Sequence, residues 1–283
     1  MKQLIKKVIL VDYSIDELKE KAKEVRIDSI NMLTEAGSGH PGGSLSTADL
    51  LTALFFNKIK RTKENAFSPD RHRFVLSKGH GVPTLYAIFS QIGILSKDEL
   101  LTLRKTGSVL QGHPDFSIFP YVEASTGSLG QGLSIAQGFA LSAKLDNLSA
   151  RVYCLLGDGE IQEGQIWETI MSAPKFKLDN FCVILDYNKS QIDGSVADVM
   201  DIEPLEDKIK AFNWHVITID GHNFKEILAA YDEAESIKNK PTFIIAHTIK
   251  GKGVSFMEGN IDWHGSAPNK EQAQKAINEL SAT

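Results

Sequence analysis

Apolar residues along the chain follow two recurring patterns. In "SIDELKEKAKEVRIDSINMLTEAG", Leu18, Ala22, Val25 and Met32 are three, four or seven residues apart, which sets them on one face of a helix. Ser14 and Glu17 precede them as a capping box, and Gly37 predicts the stop. A second helix is expected from Ser46 through "STADLLTALFFNKI", and another over Asn223–Ser236. The second pattern is a set of short runs rich in Val and Ile: Arg73–Ser77, Arg151–Leu156, Phe181–Asp186, His215–Asp220 and Thr242–His247. Such runs read as strands buried on both faces. Alternating with helices, they predict an α/β fold, a mainly parallel sheet with helices on both faces. Ligands in these folds gather at the carboxyl ends of the strands. That places "GDGE" (Gly157–Glu160), "DYNKSQIDG" (Asp186–Gly194) and "HTIKGKG" (His247–Gly253) along one rim.

The stretch "STGSLGQGLSIAQGFALSAKL" (Ser125–Leu145) is of another kind. It carries Gly127, Gly130, Gly132, Ala136, Gly138 and Ala140, and no charge before Lys144. A helix apolar nearly all round predicts burial, with close packing at Gly138. The Gly127–Gly132 loop fits that reading less well, because glycines at a helix start free N–H groups to meet a ligand.

Composition narrows the picture only moderately. The 283 residues are 42% hydrophobic and 24% charged, as in an ordinary globular protein. A single domain over 1–283 is expected, with 1–13 as an N-terminal extension and 269–283 as a C-terminal helical tail. A net charge of -5 gives no support to nucleic-acid binding. No run reaches the length of a membrane span, and "VILV" is too short for a signal-peptide core. Cys154 and Cys182 sit inside strand runs without metal or CxxC spacing, so buried, reduced thiols and a cytoplasmic location are expected.

The chemistry concentrates at Asp158, an aspartate between two glycines at a strand end. Alone, it could cap the following helix. Thirty residues on, Asn188 follows what reads as a neighbouring strand. A carboxylate and an amide carbonyl are hard oxygen ligands, suited to Mg²⁺ or Ca²⁺, and Mg²⁺ at such sites draws further ligands from phosphate. The pair therefore reads as a metal–diphosphate site. Neither a P-loop nor a G-x-G-x-x-G fingerprint is present.

Gly157-Asp158-Gly159-Glu160 followed by Asn188 resembles the cofactor motif of thiamine-diphosphate enzymes. Further stretches sharpen this: "SGHPGGSLS" (Ser38–Ser46), "DRHRFVLSKGHGVPTLYA" (Asp70–Ala87), "GHPD" (Gly112–Asp115), "STGSLGQGLS" (Ser125–Ser134), "GDGEIQEGQIWE" (Gly157–Glu168) and "HTIKGKGVSF…DWHG" (His247–Gly265). Together, from about Ser14 to Pro268, they resemble transketolase, and specifically the N-terminal, diphosphate-binding subunit of a split transketolase. The resemblance implies the thiamine-diphosphate-binding fold and a thiamine diphosphate cofactor with Mg²⁺, Ca²⁺ or Mn²⁺ being alternatives. Asp158 and Asn188 would be metal ligands through their side chains, and Ser190 through its backbone carbonyl. Gly157, Asp158, Gly159, Glu160 and Asn188 would form the cofactor motif, with Gly159 N–H and His80 holding the diphosphate and His264 assisting. Gly127, Ser128 and Leu129 would meet the thiamine rings, Ser128 standing where the family commonly has proline. His40, His80, His113 and His264 would line the sugar channel as catalytic residues, hydrogen-bonding the ketose and moving protons near neutral pH. His72, His215, His222 and His247 keep a structural reading.

By the same resemblance, Glu163 and Glu168 match dimer-interface glutamates, against the plainer reading of a solvated helix face. Lys250 and Lys252 would either balance phosphate charge or solvate the rim. The implied reaction moves a two-carbon ketol unit from a ketose phosphate to an aldose phosphate. The family's pyrimidine-binding domain, with the glutamate that activates the cofactor, has no counterpart before the chain ends. A separate C-terminal transketolase subunit is therefore the expected partner, in a heterotetramer with two copies of each chain. Three alternatives stay open: deoxyxylulose-phosphate synthase, a 2-oxoacid decarboxylating subunit, or a non-catalytic cofactor-binding regulatory subunit.

Overall fold

The computed structural model describes residues 12–282; the expected N-terminal extension falls, up to residue 11, outside the described residues. Five strands, β1 (Arg73–Leu76), β2 (Val152–Gly157), β3 (Phe181–Tyr187), β4 (His215–Asp220) and β5 (Thr242–His247), form one parallel sheet in the order β1-β2-β3-β5-β4. Side chains alternate between its two faces, as the strand period requires. Tyr153, Leu155, Cys182, Ile184 and Ile244 pack with the helices Ile15–Ala36, Val82–Gln91 and Phe224–Ser236. Cys154, Leu156, Val183, Leu185 and Phe243 pack with Gln131–Leu145 and Gly164–Lys175 on the other face. The expected sheet with helices on both faces is present. Both cysteines are free and buried, and they point to opposite faces.

The first helix begins and ends as its sequence predicts: Ser14 and Glu17 close a capping box, and Gly37 N–H returns to Leu33 O at 3.0 Å. Three expectations are corrected. β4 is not buried on both faces; it lies at the sheet edge and is mostly half-exposed. The helix expected from Ser46 starts earlier, at Pro41, whose fixed φ favours a first helical turn. It continues as Ala48–Ala53 and a wider π-helical turn, Leu54–Ile59. Residues 41–56 are buried without interruption, so no polar face marks where the helix begins.

The third correction concerns the glycine-rich helix, which runs Gln131–Leu145 and is not buried all round. Leu133, Ala136, Ala140 and Ala143 form its buried stripe, whereas Ile135, Gly138 and Leu145 are exposed. A Cβ placed on Gly138 would meet nothing within 4 Å, so Gly138 makes no tight contact inside this chain. The C-terminal helix Lys270–Ala282 buries Ala273, Ala276 and Leu280 in a small core with Ile30, Leu45, Val254 and Met257. Among the described residues, no helix is long and apolar enough to cross a membrane.

Candidate active site

Because β2 and β3 pair with Gly157 opposite Asp186, Asp158 and Asn188 leave adjacent strand ends side by side. Asp158 is 2% exposed. Its carboxylate accepts hydrogen bonds from Gly159 N–H at 2.9 Å and from Lys189 N–H. Burial, and then the nearby Asp186 carboxylate, push its pKa up to about 7. Asn188 donates from Nδ2 to Asp186 Oδ2 at 3.0 Å, and its Oδ1 accepts from Ser190 N–H at 3.1 Å.

Asp186 is fully buried. Lys78 Nζ donates to it at 2.6 Å, Ser46 Oγ at 2.8 Å, and Thr248 Oγ1 also donates. Burial opposes its charge, but Lys78 and these hydroxyls hold the carboxyl below its usual range. Glu160 is engaged within the chain: it accepts from Ser77 Oγ at 2.5 Å, Gly130 N–H at 3.0 Å and Gly157 N–H at 3.1 Å. It thus ties the glycine loop to the end of β2 rather than offering its carboxylate to a ligand.

These elements enclose a cavity of about 370 Å³. Its lining gathers His40, His80, His113 and His264 with Gly127, Leu129, Gly157, Asp158, Gly159, Glu160, Asn188 and Ser190. Of the predicted site residues only Ser128 is absent from the lining; it is exposed. The His40 ring centroid lies 5.0 Å from that of His80 and 5.6 Å from that of His264. Gly127 has φ 149°, and a Cβ there would stand 3.1 Å from the His113 ring. Gly130, at φ 85°, precedes the helix where a Cβ would fall 2.8 Å from Glu163 Cβ.

Electrostatics sharpen the role of the histidines. Burial, followed by neighbouring cations, lowers His40 to about 4 and His264 to about 3, and holds His80 well below 6.5. His113, although exposed, is lowered as well, by partial desolvation and then by Arg104. At neutral pH, His40, His80 and His264 are therefore neutral imidazoles in this cavity, each with one donor and one acceptor nitrogen. Lys250, 2% exposed, stands 2.8 Å from His264 Nδ1. Donation from its ammonium leaves Nε2–H as that ring's donor. Burial and Lys78 bring Lys250 itself down to about 8.

The remaining candidates separate clearly. Glu163 lines the cavity and precedes the Gly164–Lys175 helix; Glu168, on that helix, does not line it, and both are exposed. Lys252 lies outside the cavity and pairs with Glu258 at 3.4 Å. His72, His215, His222 and His247 do not line it either: His72 accepts from Arg151 N–H, His215 meets Glu233, His222 meets Asp49, and His247 packs on Tyr187. A larger cleft of about 1080 Å³ is lined by Lys252 and His222 but shares no residue with this cavity; there the buried Asp49 accepts from Arg26 and is bonded to His222 Nδ1. Sequence reasoning missed the Lys78–Asp186 pair and the Ser190–Ser195 hairpin, which brings Gln191 and Ile192 to the cavity. A charged residue inside the apolar run "FCVILDY" was the available signal for Asp186.

The donor set fits a divalent ion with phosphate better than a metal caged by protein. No group of three or more His, Cys, Asp or Glu able to hold a metal occurs among the described residues. Asp158 and Asn188 supply two hard oxygens, leaving room for phosphate oxygens in the shell. Asp158 ionises reluctantly beside Asp186, so a cation there would relieve the repulsion. His40 Nδ1 is buried with no partner, an unsatisfied group that a ligand hydroxyl would satisfy.

The parallel sheet with Asp158 and Asn188 at adjacent strand ends fits the thiamine-diphosphate-binding fold, and the comparisons with known proteins show it. The profile described as "Transketolase, thiamine diphosphate binding domain" matches residues 18–281. The 6-deoxy-6-sulfo-D-fructose transketolase subunit SqwG of Clostridium sp. (strain MSTE9) is 43% identical over 93% of this chain and 96% of its own length. A subunit of the apulose-4-phosphate transketolase of Phocaeicola vulgatus is 38% identical over 94% of this chain and 95% of its own. The solved transketolase of Campylobacter jejuni superposes with a TM-score of 0.89 at 35% identity, over 95% of this chain and 43% of that one. The chain belongs to the transketolase family and matches its thiamine-diphosphate-binding part. It spans nearly the whole of the two subunits but under half of the Campylobacter enzyme. Its relatives are transferases, and the chain is an enzyme subunit of that kind.

Proposed function

We propose that this chain is the N-terminal subunit of a two-chain transketolase, moving a two-carbon ketol unit from a ketose phosphate to an aldose phosphate. The observation that carries the reading is the shared cavity: a buried Asp158 and a half-buried Asn188 stand beside four histidines. Asp158, Asn188 and the Ser190 carbonyl would hold Mg²⁺, with Ca²⁺ or Mn²⁺ as substitutes. Gly159 N–H and His80 would hold the diphosphate, and Gly127 and Leu129 would bound the thiamine rings. Bound thiamine diphosphate supplies the carbanion and electron sink that the reaction needs.

The protein's part is orientation. As neutral rings, His40, His113 and His264 would match uncharged sugar hydroxyls and a carbonyl, giving and accepting hydrogen bonds. The Lys250 ammonium, beside His264, provides positive charge toward an anionic sugar. A C-terminal subunit with a pyrimidine-binding domain would complete the site, in a heterotetramer with two copies of each chain. The two subunit-type relatives support this division. Their names specify different sugars, and this chain's cavity offers contacts common to ketoses rather than a grip on one terminal group.

The test is reconstitution. This chain plus a C-terminal subunit, thiamine diphosphate and Mg²⁺ should transfer ketol units between sugar phosphates, and this chain alone should not. Asp158→Ala should abolish Mg²⁺-dependent cofactor binding in calorimetry of the assembled complex. Unchanged affinity would remove Asp158 from the metal site, and turnover of pyruvate in place of ketoses would move the assignment to another thiamine enzyme.

A further inference from the structure

An asparagine ligates a cation only through its oxygen, and a half-turn of its amide presents two N–H groups instead. Something must therefore choose the orientation at Asn188. Both ends of that amide are bonded within the chain: Nδ2 to Asp186 Oδ2 at 3.0 Å and Oδ1 to Ser190 N–H at 3.1 Å. A flip would set Oδ1 against a carboxylate and Nδ2 against an N–H, losing both bonds.

Asp186 is in turn immobilised from three other segments. Lys78 comes from the turn that carries His80, Ser46 from the helix that begins after His40, and Thr248 from the loop after β5. Lys78 also donates to Gly43 O at 2.9 Å, which fixes the ammonium as well. Neither partner of the ion pair has room to relax, for Lys78 is 2% and Asp186 0% exposed.

We propose that Asp186 is the positioning residue of the metal site: by holding the Asn188 amide it fixes the carbonyl toward the cation and favours Mg²⁺ over Ca²⁺. The size preference follows from rigidity. Mg²⁺ demands near-ideal octahedral geometry with short bonds, whereas Ca²⁺ tolerates variable shells. A ligand locked at both ends suits the first ion, and a loosened ligand penalises it more. This inference rests on the proposed metal–diphosphate site.

Removing Asp186 alone strands a buried ammonium, so the pair is replaced together. Exchanging a buried ion pair for apolar groups of similar size is often neutral for folding. The experiment titrates Mg²⁺ and Ca²⁺ by calorimetry with saturating thiamine diphosphate, on the full chain alone and with its C-terminal subunit. Wild type is compared with Lys78→Met/Asp186→Leu, Lys78→Met/Asp186→Asn and Asp158→Ala. The Leu variant should lose Mg²⁺ affinity by about 10- to 100-fold, as removal of outer-shell partners does, and Ca²⁺ affinity by clearly less. The Asn variant shares the Lys78 change but keeps an acceptor oxygen for Asn188, so it should recover most of the loss. Unchanged Mg²⁺ affinity in the Leu variant, equal loss of both ions, or no recovery with Asn would overturn the inference while leaving the metal site in place. Metal binding indifferent to Asp158→Ala would overturn the site itself, and this inference with it. If the Leu variant does not fold, the Mg²⁺-to-Ca²⁺ affinity ratio of the Asn variant decides: a ratio near the wild type's, with folding intact, supports the role of the retained acceptor, and a collapsed ratio overturns it.

Discussion

Replacing Asp158 by Asn should stabilise the metal-free protein at pH 8 while destroying the proposed metal site. In the folded chain the Asp158 carboxyl is raised from 3.8 to about 7 by burial and by Asp186. The folded state thus keeps a proton that the unfolded chain releases, so stability is full below pH 3.8 and is lost as pH rises to 7. Over roughly three pH units, at about 1.4 kcal/mol each, the ionised group costs about 4 kcal/mol above pH 7. Asparagine carries no such cost, but its NH₂ must face one of two N–H groups, from Gly159 or Lys189, a mismatch worth about 1–3 kcal/mol. The net expectation at pH 8 is a gain of about 1–3 kcal/mol, shrinking to nothing or reversing near pH 4.5. Urea unfolding followed by circular dichroism in EDTA, at matched pH for both proteins, measures it; comparison at each pH cancels the histidines' own titration. A difference that does not change with pH would refute the reasoning, as would a variant that still binds Mg²⁺ with wild-type affinity.

The half-buried histidines His40 and His264 should give the wild type an acid limb of the opposite sign. With His40 near 4 and His264 near 3, the folded state keeps neutral rings that the unfolded chain protonates, so stability is full above about 6.5 and falls with pH below it; His40→Asn should flatten the limb, and an unchanged slope would count against it. Gly130→Ala should cost at least about 1 kcal/mol, because it forces a Cβ at φ 85° and 2.8 Å from Glu163 Cβ; an unaltered melting temperature would show that the loop yields. Gly138→Ala should raise the stability of the isolated chain by about 0.5–1 kcal/mol, since nothing lies within 4 Å of the added methyl. If that face is covered in the assembly, the same change should weaken association measured by analytical ultracentrifugation.

The sheet and the placement of Asp158 beside Asn188 were legible because their signals are local. Val and Ile runs name the strands, and Asp158 and Asn188 fall at run ends that become neighbours once β2 and β3 pair. What stayed hidden depends on neighbours that no window contains. The partial exposure of β4 follows from its place at the edge, and up to Lys144 the exposed side of Gln131–Leu145 is as uncharged as its buried side. Ser128 sits inside a motif yet faces away from the cavity, since adjacent loop residues point in different directions. Lys78 lies in a stretch whose histidine draws attention first, and its meaning appears only beside Asp186, 108 residues away. The histidines' identities were readable, but their protonation was not, because it is set by a burial that only the assembled cavity creates.

The two cysteines turn the sheet into its own reporter. Cys154 and Cys182 are 0% exposed on opposite faces. Burial pushes Cys182 up to about 12 and Cys154 well above the usual thiol value, so neither offers a thiolate to an alkylating reagent while the strands are in place. Pulse alkylation followed by peptide mass spectrometry would time the opening of each helical layer separately. Equal labelling rates would mean that the molecule opens as one cooperative unit, and unequal rates would identify which layer peels away first.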